Sequence, residues 1–216
     1  MNNIVVVVKK VDFEYCTIHF DELIKQVYPQ RRDAILKLKN KRAACISLIA
    51  GLLLQEIIKK RFGIEPKDIV IDTNEQGKPC VKGLLDFYYN ISHSGDMIVM
   101  AYGDCPVGVD LEEIKSADLR VAKRCFCKEE YQYVLGETDD SAISEEQAIR
   151  FLKVWTKKEA YLKYKGIGIS VPLDSFCIDI VNDTVEGTDI VFHEKSYDGY
   201  ICNLCVHRGT KVIYEN

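Results

Sequence analysis

The sequence lacks an excess of positive charge and any long apolar run. Its 29 basic and 33 acidic residues give a formal net charge of -4, so no general positive field would draw the protein to nucleic acid or to an anionic membrane. The first apolar run, at residues 4–8, has no basic lead and is too short for a signal peptide or a membrane span. We therefore expect a cytoplasmic protein that binds neither nucleic acid nor membrane and meets any polyanionic ligand with a local basic cluster.

Several catalytic signatures are missing as well. The sequence has no glycine-rich Rossmann or Walker loop, and no Ser/His/Asp nucleophilic triad can be assigned. The nine cysteines are an odd number scattered through apolar segments, which is typical of reduced, buried thiols and argues against a disulfide framework. An enzymatic function would have to rest on other side chains.

The first part of the chain combines strands with one strongly apolar helix. Hydrophobic residues make up 47% of the 216-residue chain, enough to bury one sizeable core or two small ones packed together. We predict a strand at residues 4–8 and a helix at 43–62 that ends near Gly63. Short strands separated by turns follow between residues 68 and 112, and the last three form a plausible antiparallel meander.

The second part repeats this composition of elements. A helical pattern at residues 118–135 is followed by a polar loop at 136–141 and by a long helix at 144–165. Ser144 and Gln147 have the spacing of a capping box at the start of that helix. Further strands follow from residue 174 onward.

These patterns predict an α+β fold made of two similar α+β halves, residues 1–113 and 114–216. Each half has one long helix and several antiparallel strands. The junction near residues 113–116 has no Pro, Gly or Ser-rich linker that would let the halves move independently.

The strand VGVDLE at residues 107–112 ends in two carboxylates. Because side chains alternate along a strand, Asp110 and Glu112 project from one face and hold two like charges side by side. A strand end with one solvated face would also explain the pair, since exposed carboxylates are common.

The long helix carries a third carboxylate in an apolar position. At about 100° per residue, Glu159 falls near the centre of a stripe, whose other members are Ala148, Leu152, Trp155 and Leu162. An unpaired buried carboxylate is very costly, so it is protonated, paired or bound to a metal. A structural salt bridge with Lys163, four residues on, is the alternative.

Together the three carboxylates would make an oxygen-rich site suited to Mg²⁺, with substrate phosphate completing the metal shell. Mn²⁺ accepts the same ligands. Nearby positive charge for the phosphate would come from Lys157, Lys158 and Lys163, although a lysine-rich helix face is usually just solvated.

Other polar groups are weaker signals when taken singly. His93 lies in a strand-to-turn corner with Ser92 and Ser94, and a lone turn histidine is more often merely exposed. The turn EQGKP contains Lys78 and has the form of an ordinary hairpin turn. The basic segment from Arg31 to Arg42 fits either a solvated face or an anion site.

Four blocks of the sequence resemble the 4′-phosphopantetheinyl transferases of the larger, surfactin-synthetase-activating type. They are EQGKPC, NISHSG, VGVDLEE and FLKVWTKKEAYLKYKGIGISVPLDSF. The last block is the most specific, through its W-x-x-K-E-x-x-x-K core, its trailing glycines and its PLDSF. The four blocks lie between residues 74 and 176.

The resemblance implies a pseudo-twofold pair of α+β halves with the active site in the cleft between them. It implies a Mg²⁺-dependent enzyme that transfers the 4′-phosphopantetheine arm of coenzyme A to a serine of an apo acyl or peptidyl carrier protein and releases 3′,5′-ADP. One chain containing both halves implies a monomer. The carrier would dock near residues 127–133, attracted locally by Lys123, Arg124 and Lys128.

The resemblance also implies roles for individual residues. The implied metal ligands are Asp110, Glu112 and Glu159. The implied contacts to coenzyme A are Arg31, Arg42, Gly77, Lys78, Pro79, Ser92, His93, Lys158 and Lys163. A glutamate near the reacting phosphate would be Glu130. The serine proton needs an acceptor, and Glu130, Glu159 or a water on the metal all remain candidates.

Two other functions share part of this pattern. A catalytically inactive module that binds coenzyme A or a carrier protein would keep the fold, but the complete set of Asp110, Glu112, Glu159 and Lys163 argues against it. A Mg²⁺-dependent phosphatase or nuclease would share the carboxylates but would not need EQGKPC or NISHSG where they occur.

Overall fold

The computed structural model describes residues 2–75, 77–115, 117–136, 143–168 and 171–215. The helices are α1 (Phe13–Ile18), α2 (Phe20–Gln26), α3 (Pro29–Ile35), α4 (Lys41–Phe62), α5 (Leu119–Cys125), α6 (Lys128–Leu135) and α7 (Glu145–Lys165). The strands are β1 (Asn3–Lys10), β2 (Ile71–Thr73), β3 (Pro79–Val81), β4 (Tyr88–Ser94), β5 (Met97–Gly103), β6 (Gly108–Glu113), β7 (Ile178–Asp179), β8 (Thr184–Val185), β9 (Ile190–Tyr197), β10 (Tyr200–His207) and β11 (Lys211–Glu215). Most of the predicted polar loop at 136–141, and residue 116 of the predicted junction, lie outside the described residues.

The two long helices begin and end as their sequences predict. Ser144 and Gln147 form a capping box at the start of α7, and Gly166 ends the helix in the left-handed conformation at φ 73°. Helix α4 ends in the same way at Gly63, with φ 69°. An L side chain rarely adopts this backbone conformation, so glycine favours both stops.

The helix predicted at 118–135 is two helices. Phe126 is extended, with φ -106° and ψ 146°, and buried against Phe151. The Glu130 carboxylate turns back to accept the amide proton of Cys127 at 2.8 Å, which starts α6 as a new helix. The predicted helical pattern is confirmed on both sides of Phe126, and this cap divides it into two helices.

The strands form two main sheets that exchange elements along the chain. The first has the order β11-β1-β5-β4, and the second β6-β10-β9-β8-β7. The predicted three-stranded meander is wrong in its last strand: β4 pairs with β5, but β6 pairs with β10. Burial explains this crossing, because the apolar face of β6 packs between the sheets against residues of β1, β5 and β10. Strand β11 returns to the first sheet, parallel to β1.

This exchange brings an edge strand of each sheet together. Strand β4 lies at one edge of the first sheet and β6 at one edge of the second, and the two edges run side by side. The α+β architecture with two sheet-and-helix units is as predicted, while the boundary between residues 113 and 114 stays a prediction.

Helix α7 lies directly on β6 because Gly108 has no side chain. A Cβ atom at Gly108 would lie 2.0 Å from the carbonyl oxygen of Ala160 and 2.4 Å from the amide nitrogen of Tyr164. Only glycine permits this approach of the two backbones. The contact places the middle of α7 over the carboxylate end of β6.

Two of the nine cysteines are not free thiols. Cys127 at the start of α6 and Cys177 before β7 are joined by a disulfide, with their Cα atoms 5.9 Å apart. The prediction of reduced thiols is wrong for this pair, which no spacing in the sequence marks. The other seven are free, and five of them are buried. Among the helices within the described ranges, none has the length and apolar character needed to cross a membrane.

Candidate active site

The predicted carboxylates meet in a cavity of about 370 Å³ at the junction of β4, β6 and α7. The residues that line it are Ile91, Ser92, His93, Asp110, Glu112, Trp155, Glu159 and Lys163. The first three come from β4, the next two from β6 and the last three from α7. The structure therefore brings together residues that lie up to 72 positions apart in the printed sequence.

Asp110 is the most deeply placed of the three acids, with 4% of its surface exposed. One oxygen, Oδ1, accepts hydrogen bonds from Lys163 Nζ at 2.5 Å and from Ser92 Oγ at 2.8 Å. The other, Oδ2, is buried and has no hydrogen-bond partner among the residues that the structure describes. Such an oxygen is costly to bury unless a further group binds it.

The electrostatics of the cavity indicate a missing positive charge. Burial raises the pKa of Asp110, although Lys163 and Ser92 act in the opposite direction. Burial raises the pKa of Glu112 and of Glu159 as well, and the negative charge of Asp110 adds to the shift in both. Three carboxylates share one lysine in this cavity, so its charge is not balanced by the described side chains alone.

Glu112 is held from β4. Its Oε2 accepts a hydrogen bond from Ser94 Oγ at 2.9 Å, and Trp155 of α7 lines the same cavity. Sequence reasoning assigned no role to Trp155 or to Ser94. The sequence could have indicated Ser94, because it lies two residues after Ser92 and therefore on the same face of the strand.

A second cavity, of about 500 Å³, adjoins the first and shares Ile91 and His93 with it. Arg31, Ser47, Gly51 and Pro79 are among its other lining residues. The Arg31 guanidinium is anchored by one bond, from Nε to the Ser47 carbonyl at 3.1 Å. The structure thus brings Arg31, Pro79 and His93 to one space, while their role as contacts to coenzyme A stays a prediction.

Two cations lie near His93 on the wall that the cavities share. Burial lowers the pKa of His93, the nearby charges of Lys163 and Arg31 lower it further, and the charge of Asp110 acts in the opposite direction. An anion beside His93 would be attracted by both cations, and on the carboxylate side a bound cation would be needed to offset the three acids. The pair of cavities therefore suits a ligand with separate phosphate groups.

Four predicted contacts lie elsewhere: Arg42, Lys78 and Gly77, and the buried Lys158 described below. Arg42 stacks over the Phe13 ring at 3.9 Å and lines neither cavity. Lys78 Nζ donates to the carbonyl of Val107 and lines a third cavity, of about 540 Å³, where burial lowers its pKa to about 8. Gly77 is exposed in the turn, with φ 82°.

Lys158 and Glu130 form a separate buried pair. Both side chains are 0% exposed, and Lys158 Nζ lies 2.9 Å from Glu130 Oε2. Lys158 also donates to the carbonyls of Leu173 and Phe176 at 2.7 and 2.6 Å. The structure does not bring this pair to the cavity, because adjacent residues of a helix point about 100° apart and Lys158 faces the core while Glu159 faces β6.

Lys157 is also turned away from the cavity. It is buried and pairs with Asp183 at 2.7 Å and with Glu194 at 3.2 Å. Of the three lysines that the sequence places around Glu159, only Lys163 lines the carboxylate cavity.

Comparisons with known proteins match nearly the whole chain. Residues 106–213 match the model of the 4′-phosphopantetheinyl transferase superfamily, and residues 14–104 match a model described as 4′-phosphopantetheinyl transferase, N-terminal. The chain is 35% identical to 4′-phosphopantetheinyl transferase Sfp of Bacillus subtilis (strain 168) over 157 residues, which cover 73% of this chain and 68% of the relative. It is 32% identical to 4′-phosphopantetheinyl transferase ffp of Bacillus subtilis over 196 residues, with 87% and 85% covered. It is 30% identical to 4′-phosphopantetheinyl transferase gsp of Aneurinibacillus migulanus over 193 residues, with 86% and 78% covered.

Proposed function

The chain belongs to the 4′-phosphopantetheinyl transferase superfamily, and from this premise we propose that the junction of β4, β6 and α7 transfers the 4′-phosphopantetheine arm of coenzyme A to a serine of an apo carrier protein, releasing 3′,5′-ADP. One observation carries the proposal: an acidic cavity around Lys163 and a basic cavity around Arg31 meet at His93. A substrate with a pyrophosphate, held through a divalent cation on the carboxylates, and a separate 3′-phosphate beside Arg31 would suit the two spaces.

The carboxylate cavity fits a divalent cation. Asp110, Glu112 and Glu159 are the ligands that we propose, and the unpartnered Oδ2 of Asp110 together with the excess of negative charge supports this. The donors are all hard oxygens, which suits Mg²⁺ and also Mn²⁺. When bound, the ion would neutralise charge on the pyrophosphate of coenzyme A.

The basic cavity would hold the nucleotide end of coenzyme A. Arg31 and His93 would bind the 3′-phosphate, and the turn that ends at Pro79 would lie against the nucleotide. The guanidinium of Arg31 uses one of its five donors on Ser47, so its planar fork can still bind a phosphate in two places. Arg42, Lys78 and Lys158 make no such contribution in this arrangement.

Lys163 would stabilise the reacting phosphate. Its ammonium lies between Asp110 and Ser92 and lines the cavity, so a phosphoryl oxygen placed there would gain a charge-assisted hydrogen bond. The carrier serine would attack the β-phosphate directly, the bond from phosphorus to the ADP oxygen would break, and no covalent enzyme intermediate is needed.

Glu130 is unsuited to accept the serine proton. Its oxygens already accept hydrogen bonds from the amides of Cys127 and Ile178 and pair with Lys158. Glu159 is the glutamate of the two that lines the cavity. We propose that Glu159 is primarily a metal ligand, and that it is also the side chain best placed to receive the proton.

The carrier protein would approach from the α5–α6 side. Lys123, Arg124 and Lys128 are exposed there, and an acidic helical carrier would be attracted to them in spite of the net charge of -4. We expect the enzyme to act as a monomer, because one chain supplies every residue of the site.

The test is the intact mass of a purified apo carrier protein after incubation with this protein, coenzyme A and Mg²⁺, with a parallel sample in excess chelator. We expect a mass gain of one phosphopantetheine arm that chelator prevents. Coenzyme A binding without any mass gain on acyl or peptidyl carriers would support the inactive binding module. Release of inorganic phosphate from simple esters without a carrier would support a phosphatase.

A further inference from the structure

The edge strands β4 and β6 are joined by side chains. No backbone ladder connects these two strands within the part of the chain that the structure describes. Instead, three alternate side chains of β4 accept amide protons of β6: Asn90 from Val109 at 2.8 Å, Ser92 from Leu111 at 3.3 Å and Ser94 from Glu113 at 3.1 Å. The two-residue period of one strand thus matches that of the other.

The two serines make a second contact that Asn90 does not make. Ser92 Oγ donates to Asp110 Oδ1 at 2.8 Å, and Ser94 Oγ donates to Glu112 Oε2 at 2.9 Å. Each hydroxyl therefore accepts the amide of one residue of β6 and donates to the carboxylate of the residue before it. Because the accepted amide fills one side of the hydroxyl oxygen, the hydroxyl proton is directed at the carboxylate.

We propose that Ser94 is a positioning residue, which holds Glu112 in the orientation that it needs as a metal ligand. The proposal rests on the proposed function, in which Glu112 binds the divalent cation. Glu112 is half-buried, and its side chain is one methylene group longer than that of Asp110. More rotamers must therefore be excluded before Glu112 can bind the metal. Groups that orient metal ligands in this way are usually needed for full metal affinity.

Ser94 is a better test of this idea than Ser92. Ser92 also accepts a hydrogen bond from Lys163 at 3.0 Å and lines the cavity, so its loss would disturb the proposed phosphate contact as well. Ser94 contacts Glu112 and the Glu113 amide and does not line the cavity. An effect of Ser94 on the metal would therefore act through Glu112.

The side-chain ladder offers a matched control. Asn90→Ala removes an amide acceptor of the same kind but no contact to a carboxylate, whereas Ser94→Ala removes both contacts. Because Asn90 also lines the basic cavity, the variants are compared at saturating coenzyme A, which offsets any loss of coenzyme A affinity. Ser94→Thr keeps the hydroxyl and serves as the conservative variant. A purely structural role of the ladder would affect Asn90→Ala and Ser94→Ala alike.

The experiment measures Mn²⁺ affinity by the electron paramagnetic resonance signal of free Mn²⁺, with the full-length chain in saturating coenzyme A and no carrier present. We expect Ser94→Ala to weaken Mn²⁺ binding about tenfold or more, and Ser94→Thr and Asn90→Ala to stay within about twofold of wild type. In transfer assays, Ser94→Ala should need more metal for half-maximal rate and recover most of its kcat when metal is saturating.

Equal Mn²⁺ affinity in wild type and Ser94→Ala would overturn the positioning role, as would an equal loss in Asn90→Ala. Either result can occur while the wild type still loads a carrier, and the proposed function would then stand. A wild-type protein that neither binds Mn²⁺ nor loads a carrier would overturn both.

Discussion

Two of the lysine–carboxylate pairs to which helix α7 contributes differ in how completely they are satisfied. Lys158 and Glu130 are both fully buried; the lysine donates to two carbonyls besides the carboxylate, and the carboxylate accepts two amides besides the lysine. We call this the sealed pair. Lys163 and Asp110 form the open pair, beside a cavity, with Oδ2 of Asp110 left without a partner among the described residues.

The comparison shows that burial of a charge does not by itself identify a functional site. In the sealed pair, burial raises the pKa of Glu130 and lowers that of Lys158, and the charge of the partner opposes each of these shifts. One positive charge meets one negative charge there, and the hydrogen-bonding groups are used. The open pair has two further carboxylates, Glu112 and Glu159, beside it. Unused bonding capacity and unbalanced charge therefore distinguish the open pair as a site for ligands.

The largest expected effect is on the open side, from Glu159→Gln. Loss of the carboxylate charge should lower the transfer rate about a thousandfold, or ~4 kcal/mol in transition-state stabilisation. Stability should change little, since the glutamine keeps the size of the side chain. The measurement is carrier loading by mass together with a thermal unfolding curve. Near-normal turnover in saturating Mg²⁺ would contradict the proposed role of Glu159 as a metal ligand.

The equivalent glutamate-to-glutamine substitution in the sealed pair should lower stability and leave the transfer rate nearly unchanged. Glu130→Gln leaves Lys158 buried without a counter-charge, so the free energy of unfolding should fall by about 3 kcal/mol. Urea unfolding measures this, with the transfer rate per folded molecule expected to stay within a few-fold of wild type. A loss of transfer in a fully folded Glu130→Gln protein would return Glu130 to the list of proton acceptors.

The contact of α7 with β6 can be changed without touching either pair. Gly108→Ala would place a methyl group against the backbone of Ala160 and Tyr164, which shifts Glu159 and Lys163 relative to Asp110 and Glu112. A displacement of this kind can cost about a hundredfold in rate. Carrier loading at saturating coenzyme A measures the effect, and an unchanged rate would show that the close approach is not needed for catalysis.

The smallest expected effect comes from the basic cavity, where a substitution of Arg31 can be compared with one of Arg42, which lies outside it. Arg31→Ala should raise the KM for coenzyme A about tenfold, because one charge-assisted phosphate contact is lost, and should leave the KM for 3′-dephospho-coenzyme A unchanged. Arg42→Ala should change neither KM, because Arg42 stacks on Phe13 outside the cavity. Equal effects of the two substitutions would contradict the placement of the 3′-phosphate.

Local sequence patterns predict much of the open pair and little of the sealed one. Alternation on β6 places Asp110 and Glu112 on one face, and the apolar stripe of α7 singles out Glu159, so periodicity alone selects the three carboxylates that line the cavity. The sealed pair has no such local signal. The partners of Lys158 are the Glu130 carboxylate and the carbonyls of Leu173 and Phe176, and these groups come near α7 only in the folded chain.

The same limit applies to the strands. The composition of VGVDLE predicts a strand, and β6 is one, but no local signal tells which sheet it joins. Its pairing with β10 instead of β5 depends on contacts between residues about 90 positions apart. The disulfide between Cys127 and Cys177 is unpredictable for the same reason, because it joins segments 50 residues apart.

The most direct test of the account is a crystal structure of the protein with coenzyme A and Mn²⁺, in which anomalous scattering locates the metal. We predict one Mn²⁺ in direct contact with Asp110, Glu112 and Glu159, and none beside Glu130. A carboxylate cavity that holds no metal in a crystal with coenzyme A bound would contradict the central claim that the catalytic metal site lies beside the open pair.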